Sequence, residues 1–160
     1  MPILRQLDLS ESKVDDRGIS FLQKMPNLRY LYLRETAISN EASKELAKIK
    51  TLSFLDLRNN NVSDDSLKAL SKLPALDTLL IGNSQISDEG IKCLAGNKTI
   101  TSLDLSDSKI TEESLQTLLS LPKLKTLHLL RTNLDKNAVN EFKKLRPRIM
   151  LIGPEQSDRN

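Results

Sequence analysis

Serine, histidine and aspartate, the groups of a hydrolytic triad, recur close to one another in the second half of the sequence. His128 is the only histidine, and Asp104 stands 24 residues before it, flanked by Ser102 and Ser106. In a triad, the histidine takes a proton from the serine hydroxyl while the aspartate orients the ring. Catalysis also needs a concave pocket and donors that hold an oxyanion, and no segment of the sequence indicates either. We therefore expect no catalytic residues and no enzyme activity.

Aspartates at equivalent positions are the second candidate for chemistry. Asp8, Asp56 and Asp104 recur every 48 residues. If alternate strands of a parallel sheet carry them, they lie about 9.6 Å apart, too far to share a metal ion or a proton. The only cysteine, Cys93, cannot form an internal disulfide, and the nearby Lys92 is weak support for a reactive thiol. We expect no metal site and no cofactor.

These positions belong to a repeat of 24 residues that runs through the chain without insertion. We number the places of each repeat from its first apolar residue; places one, four and six hold leucine or isoleucine in all six copies. The first places are Leu4, Leu28, Leu52, Leu76, Ile100 and Leu124. A strict repeat of this length indicates a solenoid, in which each unit buries its apolar residues by stacking on the next.

Each repeat predicts one strand and one helix. Alternation around places four and six predicts a short strand. Places twelve to fourteen, as in Ser63-Asp64-Asp65, predict a helix start, because a hydroxyl caps free amides and acids suit the helix dipole. Leucines three residues apart, as in Leu67, Leu70 and Leu73, predict the buried helix face. Parallel strands should therefore line the inner face of an arc, with helices outside.

The last repeat and the two ends of the chain differ from the rest. We predict that the last helix starts at Asn137-Ala138-Val139 without acids, and that Ile149–Ile152 forms a closing strand. Residues 1–153 would then form one repeat domain, with repeats starting at 4, 28, 52, 76, 100 and 124 and a flexible tail over 154–160. The chain begins within a repeat, so either the array was longer or another molecule covers the open first strand.

A small polar residue occupies place nine of every repeat. The six residues are Ser12, Thr36, Asn60, Ser84, Ser108 and Thr132. Buried backbone groups at a turn need hydrogen-bond partners, and short polar side chains supply them. We predict that this row bonds its own turn and the neighbouring repeat.

The sequence resembles the leucine-rich repeat proteins. The segment Leu103–Lys123, LDLSDSKITEESLQTLLSLPK, is similar to the cysteine-containing variety of F-box substrate receptors and to bacterial arrays, including those delivered into host cells. Place nine holds Ser, Thr or Asn where the eukaryotic variety prefers Cys, so a ubiquitin-ligase role is not carried over. The resemblance implies an α/β right-handed solenoid, a horseshoe arc with parallel strands on the concave face and helices on the convex face. It also implies a non-catalytic module that binds another protein.

The resemblance places binding on the concave face, at the variable places two, three, five, seven and eight. The partner-binding residues predicted there are Tyr30, Tyr32, Arg34, Phe54, Asp56, Arg58, Leu80 and His128. Both tyrosines meet two arginines and a phenylalanine on neighbouring strands, and Tyr and Arg dominate binding energy at interfaces. Two alternatives stay open: an inhibitor or adaptor that covers a partner enzyme, and a structural array that self-associates through its amino-terminal edge strand.

Charge and hydropathy bear on the class of partner and on the compartment. The chain carries 24 basic and 21 acidic residues, interleaved, for a net charge of +3, so we expect no nucleic-acid partner. No signal peptide or spanning segment is evident in the sequence, so we expect no membrane contact and a cytoplasmic location, with delivery into a host cell left open. Lys143, Lys144, Arg146 and Arg148 cluster near the last helix end, where they suit its dipole; nucleic-acid or acidic-lipid contact is the alternative.

Overall fold

The computed structural model describes residues 3–153 and has one strand and one helix in each repeat. The elements are β1 Gln6–Asp8, α1 Asp16–Ile19, β2 Tyr30–Tyr32, α2 Asn40–Leu46, β3 Phe54–Asp56, α3 Asp64–Leu70, β4 Thr78–Leu80, α4 Asp88–Lys92, β5 Ser102–Asp104, α5 Glu112–Leu119, β6 Thr126–His128, α6 Lys136–Leu145 and β7 Met150–Ile152. A 3-10 helix, Ser20–Lys24, continues α1. The predicted tail at 154–160 lies outside the described residues.

The seven strands form one open parallel sheet in sequence order, β1 to β7. Each strand pairs with the next in the register of the repeat, so Tyr30 lies opposite both Gln6 and Phe54. This arrangement confirms the predicted α/β solenoid, with parallel strands on the concave face and helices on the convex face. The predicted closing strand is also present as β7, which pairs with β6.

The core is a continuous column of aliphatic side chains from places one, four and six and from the helices. Leu31, Leu55 and Leu79 of successive strands are fully buried, and so are the helix leucines Leu67 and Leu70. Burial of each such side chain stabilises the fold by about 1.5–3 kcal/mol. The register of aliphatic residues therefore compensates for the small number of aromatic ones.

The acids at the helix starts join successive repeats. Asp64 Oδ1 accepts a hydrogen bond from the Ser87 amide at 2.8 Å, and its Oδ2 accepts one from Ser87 Oγ at 2.7 Å. Asp88 binds Thr111 in the same way, at 2.9 and 2.7 Å. We call this contact, between a residue at the start of one helix and the cap of the next, the clamp. Asn40 forms it without a charge, since its Oδ1 accepts from the Ser63 amide at 2.8 Å. The sequence predicted only a dipole interaction for these residues.

The same clamp explains a row of small residues at place fifteen. These are Gly18, Ala42, Ser66, Gly90, Ser114 and Ala138. A Cβ atom added to Gly90 would lie 2.3 Å from Asp64 Oδ1. Ser66 instead donates its hydroxyl to Asn40 Oδ1 at 2.7 Å. At Ser66, Gly90 and Ser114, place fifteen stays small because the clamp residue of the preceding repeat packs against it. Gly18 is small for another reason, since a Cβ atom there would lie 2.7 Å from Val14 Cγ2 of its own repeat.

The predicted start of the last helix is wrong. Helix α6 begins at Lys136, and Asp135 caps it by accepting hydrogen bonds from the Asn137 amide at 2.8 Å and the Ala138 amide at 3.4 Å. An acid therefore does stabilise this helix start, two residues before the segment that the sequence singled out.

Each place-nine side chain bonds its own turn, but the row joins two repeats only between Thr36 and Asn60. The serines and threonines each donate to the carbonyl three residues before, as Ser108 Oγ does to Leu105 O at 2.6 Å. Asn60 Nδ2 also donates to Leu33 O of the preceding repeat at 2.7 Å, and Asn60 Oδ1 accepts from the Thr36 amide at 3.1 Å. The predicted ladder between repeats is thus confirmed only between Thr36 and Asn60, where Thr36 Oγ1 also lies 2.9 Å from Asn60 Oδ1. The hydroxyls of the other four residues donate only to the carbonyl of their own turn.

Candidate protein-interaction surface

Three aromatic rings lie together on the concave face, on β2 and β3. The centroids of the Tyr32 and Phe54 rings are 4.7 Å apart, and those of Tyr30 and Phe54 are 6.5 Å apart, both in tilted arrangements. Register places Tyr30 directly opposite Phe54, and the shorter Tyr32–Phe54 contact is diagonal. Tyr30 is 42% exposed. The predicted convergence of these side chains is therefore present.

Two arginines border the rings, and both are already paired. Arg34 forms an ion pair with Glu11 and lies 3.8 Å from Glu35. Arg58 donates from Nε to Asp56 Oδ1 at 3.0 Å and from Nη2 to Asp56 Oδ2 at 2.6 Å. These hydrogen bonds raise the pKa of Arg58 above its ordinary value. We call Tyr30, Tyr32, Phe54, Arg34 and Arg58 the aromatic–arginine patch.

Asp56 has a structural environment that the sequence did not reveal. Its side chain is only 4% exposed, because Arg58 covers it. Asp56 Oδ1 also accepts from the Arg58 amide at 3.1 Å, and Asp104 and Asp8 accept from the amide two residues on at 2.9 Å each. In Asp8, this backbone hydrogen bond is the main reason that the pKa lies below its ordinary value. The aspartates at alternate repeats therefore close the turn after their strands, a role that local Asx turns commonly play.

Leu80 and His128 lie on the same concave face but outside the rings. Leu80 is opposite Asp56 and Asp104 in the sheet, and His128 is opposite Asp104. Both are half-buried. Within residues 3–153, His128 makes no hydrogen bond with Ser102 or Ser106, so the triad atoms are not assembled.

A groove of about 260 Å³ is lined by His128 and by Gly82, which occupies place seven of the fourth repeat. A Cβ atom added to Gly82 would lie 3.0 Å from Ser106 O and 3.3 Å from Asp104 Oδ1. Glycine at place seven therefore lets the Ser106 backbone and the Asp104 carboxylate approach this strand closely. Arg58 and Arg131 also line this groove.

Place eight is a feature of the concave rim that the sequence analysis missed. All six of its residues adopt positive φ angles, between 52° and 58°: Glu11, Glu35, Asn59, Asn83, Asp107 and Arg131. Left-handed backbone favours Asn and Asp, and their recurrence at this place was the available signal. The side chains then bond along the rim, as Asn83 Nδ2 does to Asn59 Oδ1 at 2.9 Å.

Other chemical groups are sparse in the part of the chain that the structure describes. No group of three or more His, Cys, Asp or Glu there is arranged to hold a metal ion. Cys93 is exposed and forms no disulfide within those residues. No described helix combines the length and apolar character needed to cross a bilayer.

Comparisons with known proteins agree with this architecture. Residues 48–71 and 96–119 match a family model described as Leucine Rich repeat. An internalin from Listeria monocytogenes str. 4b F2365 has a similar structure, with a TM-score of 0.70 and 22% sequence identity over 96% of this chain. The chain spans 48% of that internalin's length, and the likeness concerns the fold alone. No curated protein matches the sequence.

Leucine-rich repeat proteins generally bind other proteins and are typically non-catalytic, since their extended concave surface presents side chains without enclosing a substrate. The similarity to the F-box variety stays a prediction. One conclusion follows from the uninterrupted repeat, the parallel sheet with one strand in each repeat, and the two matched segments: the chain has the leucine-rich repeat fold.

Proposed function

We propose that this protein binds a partner protein on its concave face, with the aromatic–arginine patch as the main contact. The observation that carries the proposal is the cluster of Tyr30, Tyr32 and Phe54 rings, with Tyr30 42% exposed. The chain has only five aromatic residues, two tyrosines and three phenylalanines, and three of them meet here. Clustered exposed apolar area of this kind tends to mark a binding site.

The patch has the properties of an interface centre. Its rings stand on strands fixed by backbone pairing on both sides, so little conformational entropy remains to be lost on binding. Ring contacts at these distances add about 0.5–1.5 kcal/mol beyond area burial, which keeps the rings in place. Arg58 is held by Asp56, yet its side chain keeps 38% of its surface exposed. The guanidinium can therefore contact a partner without first being ordered.

Asp56, Leu80 and His128 have lesser roles in this proposal. Asp56 orients Arg58 and is too buried to meet the partner itself. Leu80 extends the apolar surface from the rings towards the groove at Gly82, and His128 lines that groove. The partner would cover the rings first and reach the groove at its edge.

Affinity capture with and without the rings tests the proposal. The full chain is immobilised, its partner is identified by mass spectrometry, and the dissociation constant is measured for Tyr30→Ala/Tyr32→Ala. We expect affinity to fall by about tenfold or more, as for loss of interface aromatics. Phe21→Ala removes an aromatic ring that is 64% exposed but lies outside the patch, and it should change nothing. A partner that binds the double variant as tightly as the original chain would refute the proposal.

Arg58 should not be truncated in this experiment. Removing its guanidinium would leave the buried Asp56 carboxylate without a counter-ion, which costs stability. The variant Tyr32→Ala/Arg58→Ala should therefore be less stable than the original chain. A loss of binding in that variant would mix folding with recognition.

Two alternatives remain within the same proposal. An inhibitor or adaptor would use the same surface, and the identity of the captured partner distinguishes it. Self-association would use β1, which pairs only with β2 within residues 3–153. Light scattering after size exclusion over a range of concentrations separates this case, since a concentration-independent monomer excludes it. We keep the cytoplasm, or a host cell after delivery, as the proposed compartment.

A further inference from the structure

A second surface lies at the carboxyl-terminal end of the sheet, where the last repeat departs from the others. Place one holds Leu or Ile in all six repeats, but the equivalent position before the closing strand β7 holds Arg148, which is exposed. The next residue, Ile149, is buried in its place, at 3% exposure. Helix α6 runs on to Leu145, whereas α3 ends three residues before the equivalent Leu73. Leu73 is 2% exposed, but Leu145 is 65% exposed.

This departure opens a groove of about 760 Å³, which we call the carboxyl-terminal groove. Leu145 and Met150 are its exposed apolar side chains, at 65% and 63% exposure. Pro122 and Pro147 also line it. Its volume is within the range of sites that enclose small ligands.

The charge of this groove has one sign. Four basic residues line it, Lys123, Lys125, Arg146 and Arg148, and the described lining contains no carboxylate. Arg146 is committed to the fold: Nη1 donates to Leu119 O at 3.1 Å and to Leu121 O at 3.0 Å, and Nη2 donates to Leu124 O at 2.8 Å. The side chains of Lys123, Lys125 and Arg148 form no hydrogen bond or ion pair within residues 3–153. Three cations are therefore available to a ligand around an apolar floor.

We propose that the carboxyl-terminal groove binds an acidic segment of a partner protein that also carries apolar side chains. Carboxylates would pair with Lys123, Lys125 and Arg148, and an apolar side chain would cover Leu145 and Met150. Single-stranded nucleic acid fits less well, because the described lining has no aromatic ring on which a base could stack. A membrane surface fits less well too, because the apolar side chains line a recess and do not form a protruding face.

A peptide selection tests this assignment. A displayed random peptide library is selected on the original chain and counter-selected on Lys125→Glu/Arg148→Glu. We expect the enriched peptides to carry several Asp or Glu residues together with Leu, Ile or Phe. Failure to enrich any peptide, or enrichment of peptides without acids, would overturn the proposal.

The enriched peptide then serves as the probe for matched variants in fluorescence anisotropy. Lys125→Glu/Arg148→Glu should weaken binding by about tenfold or more, and added salt should weaken binding to the original chain. Lys72→Glu/Lys109→Glu makes the same change in net charge at exposed lysines elsewhere and should have no comparable effect. Equal weakening by the two pairs would reduce the interaction to net charge and refute the site.

Further arms separate the apolar floor, the concave face and other ligands. Leu145→Ser should weaken peptide binding without a change in net charge, and Tyr30→Ala/Tyr32→Ala should leave peptide binding unaffected. Peptide binding that depends on the two tyrosines would place it on the concave face and overturn the second site. Phosphatidylserine vesicles and a single-stranded oligonucleotide are also tested as competitors of the peptide. If one of them displaces the peptide and Lys125→Glu/Arg148→Glu abolishes its binding, the groove is reassigned to that ligand.

Discussion

Replacement of Asn60 by Leu should destabilise the array more than any other single change at place nine. Asn60 is 8% exposed. Its Nδ2 donates to Leu33 O, Leu57 O and Arg58 O at 2.7, 3.1 and 3.2 Å. Its Oδ1 accepts from the Thr36 amide at 3.1 Å and from Thr36 Oγ1 at 2.9 Å. This side chain therefore joins two repeats and their turns.

The magnitude follows from the groups that Leu would leave without partners. Leu33 O keeps the hydrogen bond from Thr36 Oγ1, and Arg58 O keeps the one from the Glu35 amide. The Thr36 amide and Leu57 O lose the partners that Asn60 supplies. Each buried group left unsatisfied costs about 1–3 kcal/mol, so the free energy of unfolding should fall by about 2–6 kcal/mol.

Ser108→Ala is the matched control for this change. Ser108 also occupies place nine and is 6% exposed, but its hydroxyl makes one hydrogen bond, to Leu105 O at 2.6 Å. Leu105 O keeps its bond from the Ser108 amide, so the expected loss is only about 0.5–1.5 kcal/mol. Equilibrium urea unfolding followed by circular dichroism measures both. Equal losses in Asn60→Leu and Ser108→Ala, or no loss in the first, would refute the bond between repeats.

Three further changes test the clamp, the rim and the last helix. Burial acts to raise the pKa of Asp88, but hydrogen bonds from the next repeat outweigh it and hold the pKa below its ordinary value. The stability that the Asp88 clamp contributes is therefore present above about pH 4 and is lost as the pH falls through the lowered pKa. In urea unfolding at a series of pH values, Asp88→Asn should reduce the loss of unfolding free energy at acid pH. At neutral pH it should lower the free energy of unfolding only slightly, because Asn40 makes the same contact without a charge. An unchanged loss at acid pH would contradict this. Asn83→Val should have a free energy of unfolding about 1–2 kcal/mol lower than Asn83→Gly, because φ at this position is +52°, and it should therefore melt at a lower temperature. Equal melting temperatures for the two variants would argue against backbone strain at Asn83. Arg146→Met should speed amide exchange across α6, because three carbonyl contacts are lost, and unchanged exchange would show that they contribute nothing.

The concave surface was predictable in part because one repeated register determines it. Once the 24-residue period is recognised, places three and five must alternate with the buried leucines, so Tyr30 and Phe54 had to be neighbours. The pairing of Arg58 with Asp56 was not predictable in this way. Both residues are polar and two places apart, and only the rotamer of Arg58 decides whether the carboxylate is covered or free.

The sequence by itself determined the solenoid, the strand positions and the column of buried leucines, because burial of an aliphatic side chain depends on its place in a periodic pattern. The tertiary structure decided which polar groups meet across repeats, as Asp64 does with Ser87. It also decided where the pattern fails, at Leu145, which is exposed while its equivalents Ile49, Leu73 and Leu121 are buried. Hydrogen bonds need atoms within a few tenths of an ångström of their ideal separation, and the stacking distance between repeats sets that separation. A linear pattern carries no information on such distances.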